Sequence, residues 1–213
     1  MAFTFRDYIP RKLEIVDVTL REGQQSSLLH DHYKYFFTTQ DKIEIARALI
    51  LYGVKFLELF SPSVSPKEAE DFQAIRQTRD ELIVQKGYTF LLAHVRCHPA
   101  DVESAIKAGA DGLNMYIGTS DVSVSHKHGM GIEEITKLAR NLLEDVRKNH
   151  PNLILRFSGE DAFRTSELNL FRVYDEVAPL VDRFGTPDTV GVATPATGAW
   201  ASRARWCSSR ATA

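Results

Sequence analysis

The feature that most constrains this chain is an alternation of two periods. Short apolar runs are separated by longer amphipathic stretches, and the order repeats over most of the length. LEIVDVTL (13–20) reads as a strand. TTQDKIEIARALILYGV (38–54) sets Ile43, Ala46, Leu49 and Ile50 at helical spacing. FLELFS (56–61) is the next strand, and Ser65-Pro66-Lys67-Glu68 then opens a helix to about residue 83, as a capping box with proline at the first helical position. TFLLAHVR (89–96), GLNMYIG (112–118) and LILRFS (153–158) are three further strands. Between and after them, helices are predicted over 99–109, ending on Gly109, over 131–150, closed by Pro151, and over 166–181. A weak sixth strand starts near Arg183.

Strands alternating with helices at this spacing imply parallel βαβ units. Two architectures fit, an open doubly wound sheet and a closed (β/α)8 TIM barrel. No GxGxxG follows the first strand, which weighs against a dinucleotide-binding sheet. Polar residues at the C-terminal ends of the strands favour a barrel mouth. The 213 residues are 44% hydrophobic and 25% charged, a globular and not a disordered composition. A formal charge of -2 and a pI near 6.4 provide no positive field for nucleic acid or an anionic membrane. No apolar run approaches the roughly 18–20 residues of a membrane span. The opening MAFTFRDYIPRKLE lacks the apolar core of a signal peptide, so a cytoplasmic chain is expected. Cys97 and Cys207 are too few for a disulfide framework, which suits a reducing compartment.

Polar and apolar residues alternate along three of the strands. Asp17, Thr19 and Arg21 share one face of the first, His94, Arg96 and His98 one face of the third, and Arg156, Ser158 and Glu160 one face of the fifth. In a barrel these faces meet in the lumen near the mouth, where they would suit an anionic substrate and a metal. A single strand-end arginine is ordinarily a salt-bridge partner, and a lone histidine such as His94 is more often a satisfied core residue. Recurrence on successive strands argues against so bland a reading of all of them. Glu22, just past the first strand, suits a metal ligand and an exposed carboxylate equally. His30/His32 and His126/His128 form His-x-His pairs, but both fall in predicted loops without the Cys pair or HExxH helix of a specific zinc site. Cys97 reads as a packed small hydrophobe.

VDVTLREGQQ (16–25) resembles the D-x-T-L-R-[DE]-G-x-Q opening strand of the DRE-TIM metallolyase superfamily. Within it the chain is most similar to homocitrate synthases, with isopropylmalate and citramalate synthases next. TTQDKIEIARAL (38–49), LELFSPSVSP (57–66), AHVRCH (93–98), YIGTSD (116–121), LRFSGEDAFR (155–164) and PDTVGVATP (187–195) carry the resemblance in order. It implies a TIM barrel in which acetyl-CoA condenses with a 2-oxo acid, 2-oxoglutarate favoured, as in lysine biosynthesis. It implies Glu22 as a ligand of a divalent metal (Mg, Mn or Zn), and Arg21 as the group that meets developing alkoxide and enolate charge. His94, Arg156 and Ser158 would hold the 2-oxo acid, Thr189 would complete its carboxylate pocket, and Glu160 would support it. A homodimer is the common assembly. Isopropylmalate or citramalate synthesis, a lyase of the 3-hydroxy-3-methylglutaryl-CoA lyase type, and a catalytically dead 2-oxo-acid-binding fragment are the alternatives.

The chain departs from that pattern in four places. The segment SSLLHDHYKYFF (26–37) is longer than the usual loop over the mouth. Asn114 stands in the substrate-binding set where homocitrate synthases usually have Asp, which bears on 2-oxoglutarate preference and lysine feedback. About six strands can be counted where a barrel has eight, and the family's His-x-His on the seventh strand has no counterpart after Thr189. The expected organisation is thus an N-terminal part of a catalytic barrel over 1–195, inactive or nearly so by itself. The last 18 residues, ATGAWASRARWCSSRATA (196–213), hold both tryptophans and three arginines with no acid and no Leu, Ile or Val. They read as an irregular tail translated out of frame, since the family continues Arg-Gln-Val at this point. A flexible C-terminal extension is the competing reading.

Overall fold

The computed structural model describes residues 14–25 and 33–185. Its six strands are β1 (Val16–Asp17), β2 (Phe56–Leu59), β3 (Phe90–Arg96), β4 (Gly112–Gly118), β5 (Ile154–Glu160) and β6 (Arg183–Gly185). They form one parallel sheet in the order β1-β2-β3-β4-β5-β6. A doubly wound sheet reverses direction at a switch point, whereas successive right-handed crossovers without reversal keep every helix on one side. The order therefore decides between the two candidates, and the described residues form a half-barrel wall of six parallel strands, the first five each followed by helix.

Four helices connect the first five strands: α2 (Thr39–Tyr52), α3 (Pro66–Lys86), α4 (Pro99–Ala108) and α5 (Ile132–Asn149). A fifth, α6 (Glu167–Val177), follows β5, and a single turn, α1 (Thr19–Glu22), follows β1. Leu57, Leu59, Leu91, Ala93, Val95, Leu113, Met115, Leu155 and Phe157 alternate outward from the strands. They are buried with Ala46, Ile50, Phe72, Ala105, Ala139, Leu143 and Val173 of the helices in one core. The intervening positions face the lumen. On that side Gly112 leaves room that a Cβ would take, 2.5 Å from the Ile154 carbonyl and 2.7 Å from Leu92 Cδ2.

The helix starts follow the side chains that cap them. Thr38 and Asp41 form a reciprocal capping box on α2. At α3 only half of the expected box forms. Ser65 accepts the Glu68 N–H, but the Glu68 carboxylate turns instead to Lys42, 2.7 Å away. Lys42 also reaches Asp71 at 2.6 Å, so a buried ammonium ties α2 to α3 between two carboxylates.

The first strand is shorter than the 13–20 expected. The Asp17 carboxylate accepts the Thr19 N–H at 2.9 Å, and the chain turns into α1, with the Val18 carbonyl accepting from Arg21 and Glu22. Local side chain to backbone hydrogen bonding of this kind competes with a strand ladder. Asp17, Thr19 and Arg21 therefore do not share a strand face, and Arg21 reaches the lumen from a helical turn. The fifth strand runs longer than 153–158 and carries Glu160 inside it. The predicted loop holding His126 and His128 is a π-helical turn, Ser123–His128.

Candidate functional site

Because the strands are parallel and in register, their C-terminal ends bring their lumen residues to one level. His94, Asn114 and Arg156 are aligned neighbours across β3, β4 and β5, and Arg96, Tyr116 and Ser158 are aligned in the next layer toward the mouth. These residues line a cleft of about 660 Å3 together with Arg21, Glu22, Glu58, Phe60 and Glu160.

Glu58 is the hub of the cleft. It lies on β2 with 0% of its surface exposed. Its Oε1 is 2.7 Å from Arg21 Nε and its Oε2 is 3.2 Å from an Arg156 nitrogen. Asn114 Nδ2 donates to the same Oε2 at 2.8 Å. The Arg21 contact is close, yet the N–H direction misses the oxygen, so it is an ion pair without a completed hydrogen bond. Ser158 Oγ donates to Asn114 Oδ1 at 2.9 Å. His94 Nδ1 lies 3.1 Å from Asn114 Nδ2, and the ring stacks on Tyr116 with centroids 4.3 Å apart and planes 10° apart. One buried carboxylate thus holds two guanidinium groups whose side chains remain 17% and 23% exposed toward the cleft. Arg21 is shared between Glu58 and Glu22, so Arg156, which meets Glu58 through one 3.2 Å contact, is the guanidinium best placed to pair with an anionic ligand.

Burial, followed by the charges of Arg21 and Arg156, pushes the His94 imidazole down from 6.5 to about 3. The unfolded chain takes up a proton near pH 6.5 that the folded chain refuses until about pH 3. Stability is therefore full above pH 6.5 and falls with pH through that window, by at most about 1.4 kcal/mol per unit. His94→Gln should remove one proton's worth of slope from the acid limb of a stability–pH profile. A slope unchanged by that substitution would contradict a buried neutral histidine.

Not every expected residue joins the cluster. Arg96 turns to the rim, where Asp101 takes its guanidinium at 2.7 and 2.9 Å. His98 occupies the N-cap position of α4 with an exposed side chain that makes no capping hydrogen bond, and it does not line the cleft. Glu160 does line it but is paired with Lys127 at 2.6 Å. Glu22 sits at the mouth, 53% exposed and 2.5 Å from an Arg21 nitrogen. Cys97 is buried, and burial pushes its thiol up to about 12. Thr189, His30, His32, Cys207 and the stretch 196–213 lie outside the described residues.

A divalent ion needs several converging oxygen or nitrogen donors. Among the described residues no three His, Cys, Asp or Glu side chains converge in that way. Glu22 is a single donor already shared with Arg21, so the described residues by themselves do not make a metal centre. Also among them, no helix is long and apolar enough to cross a membrane.

Glu58 is the residue that reading the sequence did not single out. Its signal was present as a lone acid inside the apolar run Phe56-Leu57-Glu58-Leu59-Phe60. A buried carboxylate in a strand requires cations or donors around it, so its presence implied partners even though it could not name them.

Comparison with known proteins places this arrangement. The model of the HMGL-like family matches residues 12–203. The mitochondrial homocitrate synthase of Saccharomyces cerevisiae is 36% identical over 192 residues, which is 89% of this chain and 40% of that protein. A probable 2-isopropylmalate synthase of Methanopyrus kandleri is 34% identical over 188 residues, 88% of this chain and 35% of that protein. The chain thus spans well under half the length of these relatives. In fold it is similar to the crystal structure of hydroxymethylglutaryl-CoA lyase from Pseudomonas aeruginosa, with a TM-score of 0.67, 20% identity, and coverage of 88% of this chain and 61% of that one. The family model matched over residues 12–203 makes the chain a member of the HMGL-like family, within the DRE-TIM superfamily, and the six-stranded wall is of the TIM-barrel type.

Proposed function

We propose that the cleft binds a 2-oxo acid, 2-oxoglutarate favoured, and that it serves, in a full-length protein of the family, acyl transfer from acetyl-CoA to that acid in a Claisen condensation, as in homocitrate synthesis, with the 213-residue chain inactive or nearly so by itself. The observation that carries this reading is the pair Arg21 and Arg156, held by one buried carboxylate with His94, Asn114 and Ser158 between and beside them. Arg156 offers a planar fork suited to a carboxylate. His94 is placed to hydrogen-bond one of the remaining oxygens, Ser158 lines the same pocket with its hydroxyl proton turned to Asn114, and Arg21 stands where negative charge on the keto oxygen would be met by a fixed cation. A preformed cation costs no reorganisation when that charge develops, which makes Arg21 the residue assigned to the chemical step. Thr189 belongs to the same proposed carboxylate pocket, and Glu160 to its polar support. Glu22 is the proposed contribution of this segment to a divalent ion, whose remaining donors would have to come from outside the described residues.

Calorimetric titration of 2-oxoglutarate into the 213-residue chain tests the reading. Saturable one-to-one binding is expected, and Arg21→Met should weaken it by about tenfold or more, the worth of one charged hydrogen bond. Absence of binding by 2-oxoglutarate, pyruvate and 2-oxoisovalerate alike would overturn the proposal.

A further inference from the structure

The hydrogen-bond network around Glu58 has a direction. A carboxylate between two arginines offers oxygen acceptors only. Asn114 meets it at 2.8 Å, so the amide end facing Glu58 is the NH2. The flipped amide would set a carbonyl oxygen against a carboxylate oxygen at that distance. With the amide so oriented, its oxygen faces Ser158, whose hydroxyl donates at 2.9 Å. The second N–H of the same NH2 lies toward His94 Nδ1, 3.1 Å away. An amide N–H can only donate, so Nδ1 has to carry the lone pair, and in a neutral imidazole the proton then sits on Nε2.

Two further contacts bear on this assignment. Tyr116, stacked within 10° of the imidazole plane, holds the ring against rotation. Glu58 Oε1 stands 3.4 Å from Nδ1 and would favour the opposite tautomer, but it is the longer contact and completes no hydrogen bond with the ring, while the Arg21 charge 2.7 Å away offsets its pull on a ring proton. The charged groups that face His94 are Glu58, Arg21 and Arg156, and the two arginines disfavour an imidazolium.

We infer that Asn114 is a positioning residue that sets the tautomer of His94, so that His94 offers the cleft an N–H donor at Nε2 and not a base. The consequence for chemistry rests on the proposed 2-oxo-acid reading. His94 then hydrogen-bonds an oxygen of the acid, and the proton leaving the acetyl methyl group goes to another residue.

The test is a long-range proton–nitrogen correlation spectrum of the 15N-labelled chain, with the His94 signals identified by their loss in His94→Gln. The expected spectrum has Nδ1 at the lone-pair shift and Nε2 at the protonated shift, unchanged from about pH 5.5 to 8, a range in which a free histidine titrates. Asn114→Asp removes the donor and sets an acceptor opposite Nδ1, so the proton should move to Nδ1 and the pattern should become pH-dependent. A wild-type ring protonated on Nδ1 would overturn the inference, as would a folded Asn114→Asp protein with the wild-type pattern. The wild-type spectrum decides by itself if that variant does not fold. The spectrum needs no substrate, so a wrong tautomer leaves the 2-oxo-acid reading standing, and an empty titration leaves the tautomer standing.

Discussion

Glu58→Ala is expected to destabilise the chain by about 3 kcal/mol, the lower end of the range for removing one partner from a buried ion pair. The lower end applies because Arg21 and Arg156 are partly exposed to the cleft and can turn their heads toward water. At about 2–4 °C per kcal/mol for a chain of this size, the melting midpoint should fall by roughly 6–12 °C. The cost does not come from lost packing alone. Glu58→Met fills a similar volume but leaves Arg156 without this counter-charge and Arg21 with Glu22 alone, so it should fall nearly as far. Replacing Arg21, Glu58 and Arg156 together by Met should recover most of the loss, because an apolar cluster has no charge to desolvate. Denaturant unfolding of the four proteins checks the series. A Glu58→Ala loss below about 1 kcal/mol, typical of surface pairs, would show that Glu58 is not the hub of the cleft.

The order of elements was legible because it is written in local periodicity. The α2 stripe Ala46 and Ile50, the Ser65-Pro66 start of α3 and the Gly109 stop of α4 each depend on residues within a turn or two of one another. The strand order in space confirms what the alternation of periods implied about parallel βα units. The first strand was misread because LEIVDVTL alternates well enough for a strand, while one carboxylate, Asp17, diverts the chain by capping the turn that follows. The site was legible in part. His94, Asn114, Arg156 and Ser158 could be placed by period two on strands of the right order. Glu58 could not, because its role depends on Asn114 and Arg156, which lie 56 and 98 residues away. Arg96 shares the period of His94 but not its role, because Asp101, five residues on, takes the guanidinium at the rim.

Arg156→Met should weaken 2-oxoglutarate binding by about 100-fold while leaving the fold nearly intact. The size follows from removing a charged, two-pronged donor from a carboxylate that stays desolvated, a loss of about 3 kcal/mol. The small effect on stability follows from the network, since Glu58 keeps Arg21 at 2.7 Å and the Asn114 donor at 2.8 Å when Arg156 is gone. Arg156→Lys separates charge from geometry. It keeps the positive charge but not the planar fork, so a loss of about tenfold is expected if bidentate pairing matters. Titration calorimetry on the three proteins, with melting midpoints measured alongside, gives both quantities. Binding within threefold of wild type in Arg156→Met would remove Arg156 from the 2-oxo-acid site. A collapse of stability equal to that of Glu58→Ala would mean that Arg156 serves the fold before it serves the ligand. The contrast between the two variants follows from one structural fact: Glu58 has several partners to lose, whereas Arg156 meets it through a single 3.2 Å contact and keeps the rest of its donors for the cleft.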